Sequence, residues 1–225
     1  MRGRGKTRIR ARNRGSRYKE EQRRILCLTA STLLRIIASS SIMEAVMFYS
    51  FDGRMPSIGN DTYVSETAQV IGDVRIGNNC YVGHGAILRG DYGTIDIGNE
   101  SVIEEGVVIH APPEEQCTIG NRVVVGHGAI VHAQSIGDSA MIGMGAILSI
   151  RSVIGSQSIV AEGAVVKQEQ QVPASVVMAG SPSRRVREIT KDDMDRQDYS
   201  IELYTNLAEK YLKVGMKEVS PTFGR

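Results

Sequence analysis

Aliphatic residues recur at every sixth position through most of this chain, a period that fits neither an α-helix nor a simply alternating strand. Val64, Val70, Ile76, Val82 and Leu88 form a first run, Ile97, Ile103 and Ile109 a second, and Ile119, Val125 and Val131 a third. Ile136, Ile142, Leu148, Ile154, Val160 and Val166 complete the longest. Gly often follows, as in IGNNCY, VGHGAI, IGDSAM and IGMGAI, and the 24 Gly suit a chain with many tight corners. With no Trp and 3 Phe, the core has to be aliphatic. The register breaks mark where loops leave the pattern. Leu88 to Ile97 is nine residues, Ile109 to Ile119 ten and Val131 to Ile136 five. The ten-residue step contains Pro112 to Glu115, PPEE, which has turn chemistry.

Over about residues 50 to 185 these hexads resemble the hexapeptide-repeat family of left-handed parallel β-helices. The resemblance implies one short strand and a corner per hexad, three hexads closing a triangular coil, and a left hand. The expected fold is therefore an all-β solenoid, a left-handed parallel β-helix with a C-terminal α-helix packed along it. The inward aliphatic of one coil stacks on that of the next at about 4.7–4.9 Å. The hexads are expected to stop after Val166, where QVPASVVMAGSPSRRVRE resembles the exit segment of such proteins. Ser200 is expected to cap a helix with an apolar stripe of Ile201, Tyr204, Leu207, Ala208, Tyr211 and Leu212. The expected division is 1–46 as an N-terminal extension, 47–185 as the β-helix and 186–225 as a helical segment.

The net charge of +2 hides an asymmetry: residues 1–24 hold 11 basic and 2 acidic groups, leaving 16 basic and 23 acidic for the rest. A basic arm can bind nucleic acid, target an organelle, or be dispensable sequence ahead of a start at Met43 or Met47. The last is favoured. No aromatic pattern supports base stacking, Glu20 and Glu21 weaken a transit peptide, and MFYSFDG from Met47 runs straight into the repeat. A cytoplasmic location is expected, or an organellar one if residues 1–46 act as a transit peptide. Cys27, Cys80 and Cys117 are too few and scattered for a disulfide framework, which favours a reducing compartment, and Cys80 and Cys117 read as small buried side chains. No apolar run is long enough to make a membrane a partner.

All four histidines lie inside the repeat. Arg89, His110 and His132 each directly follow an inward aliphatic, and subtracting the inserted residues spaces them by 18, so they stack in one column. Two imidazoles one strand spacing apart can share an ion at about 2.0–2.1 Å. His127 belongs to another column, over Glu105 and His84. A third nitrogen therefore comes most easily from His127 of a neighbouring prism, which requires an oligomer, most simply a cyclic trimer.

The stretches LRGDYGTIDIG, VIEEGVVIH and VGHGAIVHAQSIGDSAMIGMGA resemble the γ-class carbonic anhydrase branch of the hexapeptide-repeat family, as does the opening MFYSFDGRMP. The resemblance implies a homotrimer with one metal ion per subunit interface, Zn2+ or alternatively Fe2+ or Co2+. His110 and His132 come from one chain and His127 from its neighbour. The implied reaction is reversible hydration of CO2 to bicarbonate by a metal-bound hydroxide. Arg89 and Asp91 match a segment that knits the interface, as an ion pair between subunits, and Tyr204 and Asn206 resemble helix residues that reach the active site. The family commonly has Gln and Asp where Glu104 and Glu105 stand, and these two are the expected catalytic carboxylates.

Glu114 or Glu115 is a possible proton shuttle, since PPEE starts two residues beyond His110. His84 reads as a structural or interface histidine. Other readings stay open. Many hexapeptide-repeat proteins are acyl-CoA acyltransferases, which need one basic histidine rather than three converging ones. A metal-dependent thioesterase would use the same ion on a different carbonyl. The charge at Glu104 also suits a non-catalytic, metal-binding assembly subunit.

Overall fold

The structure, a computed structural model, describes residues 47–217 and 219, so the basic extension expected over 1–46 lies outside the described residues. From Met47 the chain winds as a left-handed parallel β-helix with three faces. The first stacks Val70, Leu88, Ile109, Val131, Leu148 and Val166. The second stacks Ile76, Ile97, Ile119, Ile136, Ile154 and Val172. The third stacks Val64, Val82, Ile103, Val125, Ile142, Val160 and Met178. All seventeen hexad residues named from the sequence lie in one continuous buried core. The repeat does not stop at Val166: Val172 and Met178 continue it at six-residue steps and are buried. Two faces merge into one 12-stranded sheet because Gln69–Ile76 and Ile87–Ile97 run unbroken around their shared corner.

The Ile-Gly-Asn triplets make the corner ahead of the third face. Asn78 accepts from the Asn60 amide (2.8 Å), Asn99 from Asn78 (2.8 Å), Asn121 from Asn99 (2.9 Å) and Asp138 from Asn121 (2.7 Å). Each side chain thus satisfies a backbone donor of the preceding coil that the corner would otherwise strand. The inserted residues fall at the opposite corner. Gly72 and Gly90 stay in register, then Val74 faces Ile95, so Asp91 to Thr94 bulge outward. Pro112 to Glu115 turn beside them, with the Glu115 amide bonded to Pro112 O at 3.1 Å.

The outer columns of the three faces differ in chemistry, and that decides what covers each. The second carries Arg75, Asp96, Thr118, Ser135, Val153 and Gln171, polar but for Val153, and suits water. The third carries Tyr63, Tyr81, Val102, Val124 and Met141, and a helix, α1 (Lys191–Val214), lies over it. Ile201 and Ala208 are buried there, Tyr204, Leu207 and Tyr211 pack against the same cluster, and Tyr63 stacks on Tyr211 with centroids 4.6 Å apart. Leu212, expected in this stripe, is 52% exposed and lies outside it.

Ser200 does not cap α1. Thr190 does, in a capping box with Asp193, while Ser200 sits in the third turn of a helix already under way and bonds back to Arg196 O. Apart from the exposed Met194, the first ten residues of α1 are polar or charged, so they are held by ionic contacts rather than an apolar stripe. Arg187 Nη2 donates to Asp193 (3.0 Å), Arg122 Nη2 to Asp198 (2.7 Å) and Gln197 Nε2 to Arg122 O (3.4 Å). The Arg187 guanidinium, then Thr190, hold the Asp193 carboxyl well below the usual carboxylate range. A carboxyl shifted this way stabilises the fold fully above its unfolded pKa of about 3.9, and that contribution is lost as pH falls through the lower folded value. Asp193→Asn should therefore fray the start of α1 at neutral pH and flatten the acid dependence of helix content between about pH 4 and 2. Circular dichroism across that range checks it, and an unchanged acid transition would count against the anchor.

Candidate metal centre

At the corner between the first and second faces, Ile109 and Val131 are in register, so the residues after them stack. His110 and His132 meet there with ring centroids 4.9 Å apart and planes at 66°. The phase count from the sequence and the observed register agree. Both His110 nitrogens are buried with no hydrogen-bond partner, and the nearest carboxylate oxygen, on Asp91, lies 3.7 Å from Nε2. Burial, followed by the Arg89 guanidinium, pushes the His110 and His132 imidazoles below the usual histidine range. Both therefore present neutral lone pairs at pH 7, the form a metal requires. Arg89, in the same column, donates to Asp91 at 2.8 Å. This ion pair, expected between subunits, closes within one chain because the bulged loop brings Asp91 back beside the column. Burial opposes ionisation of Asp91, but Arg89 and backbone donors outweigh it and keep its pKa low.

His127 lies one face away, five residues before His132, in the turn that precedes the Ile130–Val131 strand. Its column is His84, Glu105, His127, as the phases required, with Gly106 N bonded to His84 O and Gly128 N to Glu105 O. Glu105 Oε2 sits 2.8 Å from His127 Nδ1, and Glu105 Oε1 accepts from the Tyr81 hydroxyl at 2.6 Å and lies 3.8 Å from His84 Nδ1. Burial works against the Glu105 charge, but the Tyr81 hydroxyl, its own backbone and the neighbouring histidines outweigh it, so its pKa is lowered. Such a carboxylate beside Nδ1 favours a proton there and leaves Nε2 as the nitrogen open to a ligand. Glu104 is only 7% exposed, and burial raises its pKa, with His127 pulling the other way. Its Oε2 accepts from the His127 amide (2.9 Å) and lies 3.1 Å from Nε2.

The other expected residues divide. The Tyr204 hydroxyl reaches to 3.4 Å from His127 Nε2. Asn206 does not join it: two residues along a helix is about 200°, and Asn206 lines a separate groove of about 490 Å³ with Asp61, Asn79 and Glu100. Glu115 is engaged by Arg151 Nε at 2.9 Å, whereas Glu114 is exposed in the turn. Among the described residues no three His, Cys, Asp or Glu side chains of a single chain are placed to hold a metal ion.

A family model described as bacterial transferase hexapeptide (six repeats) matches residues 55–90. The chain is 32% identical over 174 residues to the carnitine operon protein CaiE of Salmonella agona, covering 77% of this chain and 87% of that protein. It is 33% identical over 162 residues to the mitochondrial gamma carbonic anhydrase 2 of Arabidopsis thaliana, covering 69% of this chain and 58% of the relative, less than two thirds of its length. The chain belongs to the γ-carbonic anhydrase-like branch of the hexapeptide-repeat family. A crystal structure of a hexapeptide transferase family protein from Anaplasma phagocytophilum superposes with a TM-score of 0.70 at 30% identity, covering 74% of this chain and 98% of that one.

One feature of this γ-carbonic anhydrase-like chain escapes the histidine count. The outer column of the first face starts at Gln69 and is aliphatic from there on: Ile87, Val108, Ile130, Ile147 and Val165. Ile130 is 42% and Ile147 37% exposed, and the column runs between the His110/His132 corner and the His127 corner. The signal was in the sequence, in the residue preceding each inward aliphatic of every third hexad.

Proposed function

We propose that this γ-carbonic anhydrase-like chain works as a homotrimer that reversibly hydrates CO2 to bicarbonate at a divalent ion, Zn2+ or alternatively Fe2+ or Co2+, shared across each subunit interface. The observation that carries the reading is the half-buried His110/His132 pair, in which both His110 nitrogens are buried and orphaned, separated by a partly exposed aliphatic face from His127, whose side chain is 44% exposed. The donor set fits the ion: three neutral imidazoles suit zinc or ferrous iron, and leaving the His110 nitrogens unpaired would otherwise be costly. His110 and His132 of one chain and His127 of the next would hold it. When bound, such an ion lowers the pKa of a coordinated water to about 7 and so supplies a nucleophile at neutral pH. The chain's own residues do the rest. Glu105 fixes the His127 ring, Tyr204 offers a hydroxyl next to Nε2, Arg89 and Asp91 brace the corner, and the exposed Glu114 passes the released proton to solvent in preference to the ion-paired Glu115.

The face between the two half-sites gives the oligomer its contact. Water covers the polar second face and α1 covers the third, which leaves the aliphatic first face for another copy. Ile130→Asp combined with Ile147→Asp should convert the trimer to monomer at micromolar concentration, as read by light scattering, and remove the bound metal with it. A metal-loaded monomer would contradict the shared site. The Arg-rich opening residues and the mitochondrial designation of the plant relative support an organellar location, with the cytoplasm as the alternative. The first test of function is metal content per trimer together with stopped-flow CO2 hydration, expected to give three ions and a measurable rate. The likeness to a hexapeptide transferase favours acyl transfer as the second reading, with the thioesterase and assembly-subunit readings behind it. Coenzyme A binding without metal would decide for acyl transfer. Three bound ions with no hydration would point to the thioesterase or assembly roles.

A further inference from the structure

We infer that Glu104 is a fourth protein donor to the shared ion, so that each interface holds three imidazoles and one carboxylate. This rests on the metal site proposed above and goes beyond it. The Glu104 carboxylate is buried, and its position is fixed from outside the site, because Oε2 accepts the His127 amide at 2.9 Å. Gly83 and Gly126 hold the equivalent positions on the neighbouring coils. The same oxygen stands 3.1 Å from His127 Nε2, the nitrogen left free when Glu105 takes Nδ1. Two donors bound to one cation at about 2.1 Å are separated by about 3.0 Å at a right angle and about 3.4 Å at the tetrahedral angle. The observed separation falls inside that range, so both atoms can bind one ion without either moving.

Each chain then contributes two half-sites, a His110/His132 pair on one corner and a His127/Glu104 pair on the next. A neutral amide in place of Glu104 supplies no charge to a cation. The carboxylate does, and it reduces the net charge of the assembled centre from two to one. An oxygen donor also shifts preference toward ferrous iron or cobalt over zinc, compared with imidazoles alone. The bland account of the same geometry is an ion pair between Glu104 and a protonated His127, which the metal would abolish rather than use.

The experiment compares wild type, Glu104→Gln, Glu104→Asp and His132→Ala as intact trimers. Co2+ affinity is measured by chelator competition, and the visible spectrum of the Co2+ form is recorded. Glu104→Gln is expected to weaken Co2+ binding by at least the 10–100-fold usual for a residue supporting a metal site, and to change the cobalt spectrum, while melting of the metal-free trimer stays unchanged. Glu104→Asp should recover part of the affinity. Undiminished affinity and an unaltered spectrum in Glu104→Gln, with metal lost in His132→Ala, would overturn the fourth donor and leave the three-histidine site standing. Full metal retention in His132→Ala would overturn both.

Discussion

His110→Leu is expected to abolish metal binding and CO2 hydration while leaving the metal-free protein at least as stable as wild type. The two halves of that result come from one observation, the pair of buried His110 nitrogens without partners. An unpaired buried polar atom costs about 1–3 kcal/mol, so an apolar side chain of similar size removes a penalty as well as a ligand. For a chain of this length, 1 kcal/mol corresponds to about 2–4 °C in melting temperature. Metal-stripped His110→Leu should therefore melt at or above wild type, whereas the metal-supplemented wild type should gain stability that the variant does not. A histidine serving packing alone would show the opposite pattern, with lower stability and undiminished metal.

Gly98→Asn is expected to disrupt the solenoid, and Gly163→Asn to be nearly silent, although only Gly163 has a positive φ (+64°). A Cβ on Gly98 would lie 2.6 Å from the Gly120 carbonyl carbon and 2.7 Å from the Asn121 nitrogen, both backbone atoms of the next coil. Neither can yield while the coils stay stacked, so the cost should exceed the roughly 1–3 kcal/mol of ordinary overpacking. Around Gly163 nothing lies within 4 Å of the added carbon, and Asn tolerates the left-handed region that Asn79 already occupies on this solenoid. Equilibrium denaturation of the two variants checks the contrast. Equal losses would show that backbone conformation, rather than the closeness of successive coils, governs these glycines.

Much of this was legible because a solenoid turns sequence spacing into position. Once the inserted residues at Asp91–Thr94 and Pro112–Glu115 are subtracted, the neighbours of Arg89, His110 and His132 follow by counting, and so does the separation of His127 from them. Counting failed where side chains rather than hexads do the work. Lys167–Gln171 is polar throughout, and its corner is closed by the Gln170 side chain accepting the Lys167 amide at 3.0 Å, so the continuation to Val172 and Met178 went unseen. The start of α1 was missed because Lys191–Ser200 is fastened by Arg187, Arg122 and a Thr190/Asp193 box, and no apolar period announces it. Asn206 was placed by likeness to a family pattern, whereas helix rotation sends it to the flank opposite Tyr204. The closeness of Glu104 to His127 Nε2 depends on side-chain reach, which spacing does not encode.

A metal centre that takes donors from two chains is tested most directly by complementation between two defective parents. His127→Ala and His132→Ala trimers should each hold little metal and show no hydration above background. Unfolded together and refolded as mixed trimers, they should regain metal and activity at about a quarter of interfaces, the share expected when random assembly places an intact His127 against an intact His110/His132 pair in a cyclic trimer. Recovery near that fraction is the predicted result. No recovery in demonstrably mixed trimers, or full metal in either parent alone, would contradict a site shared between subunits.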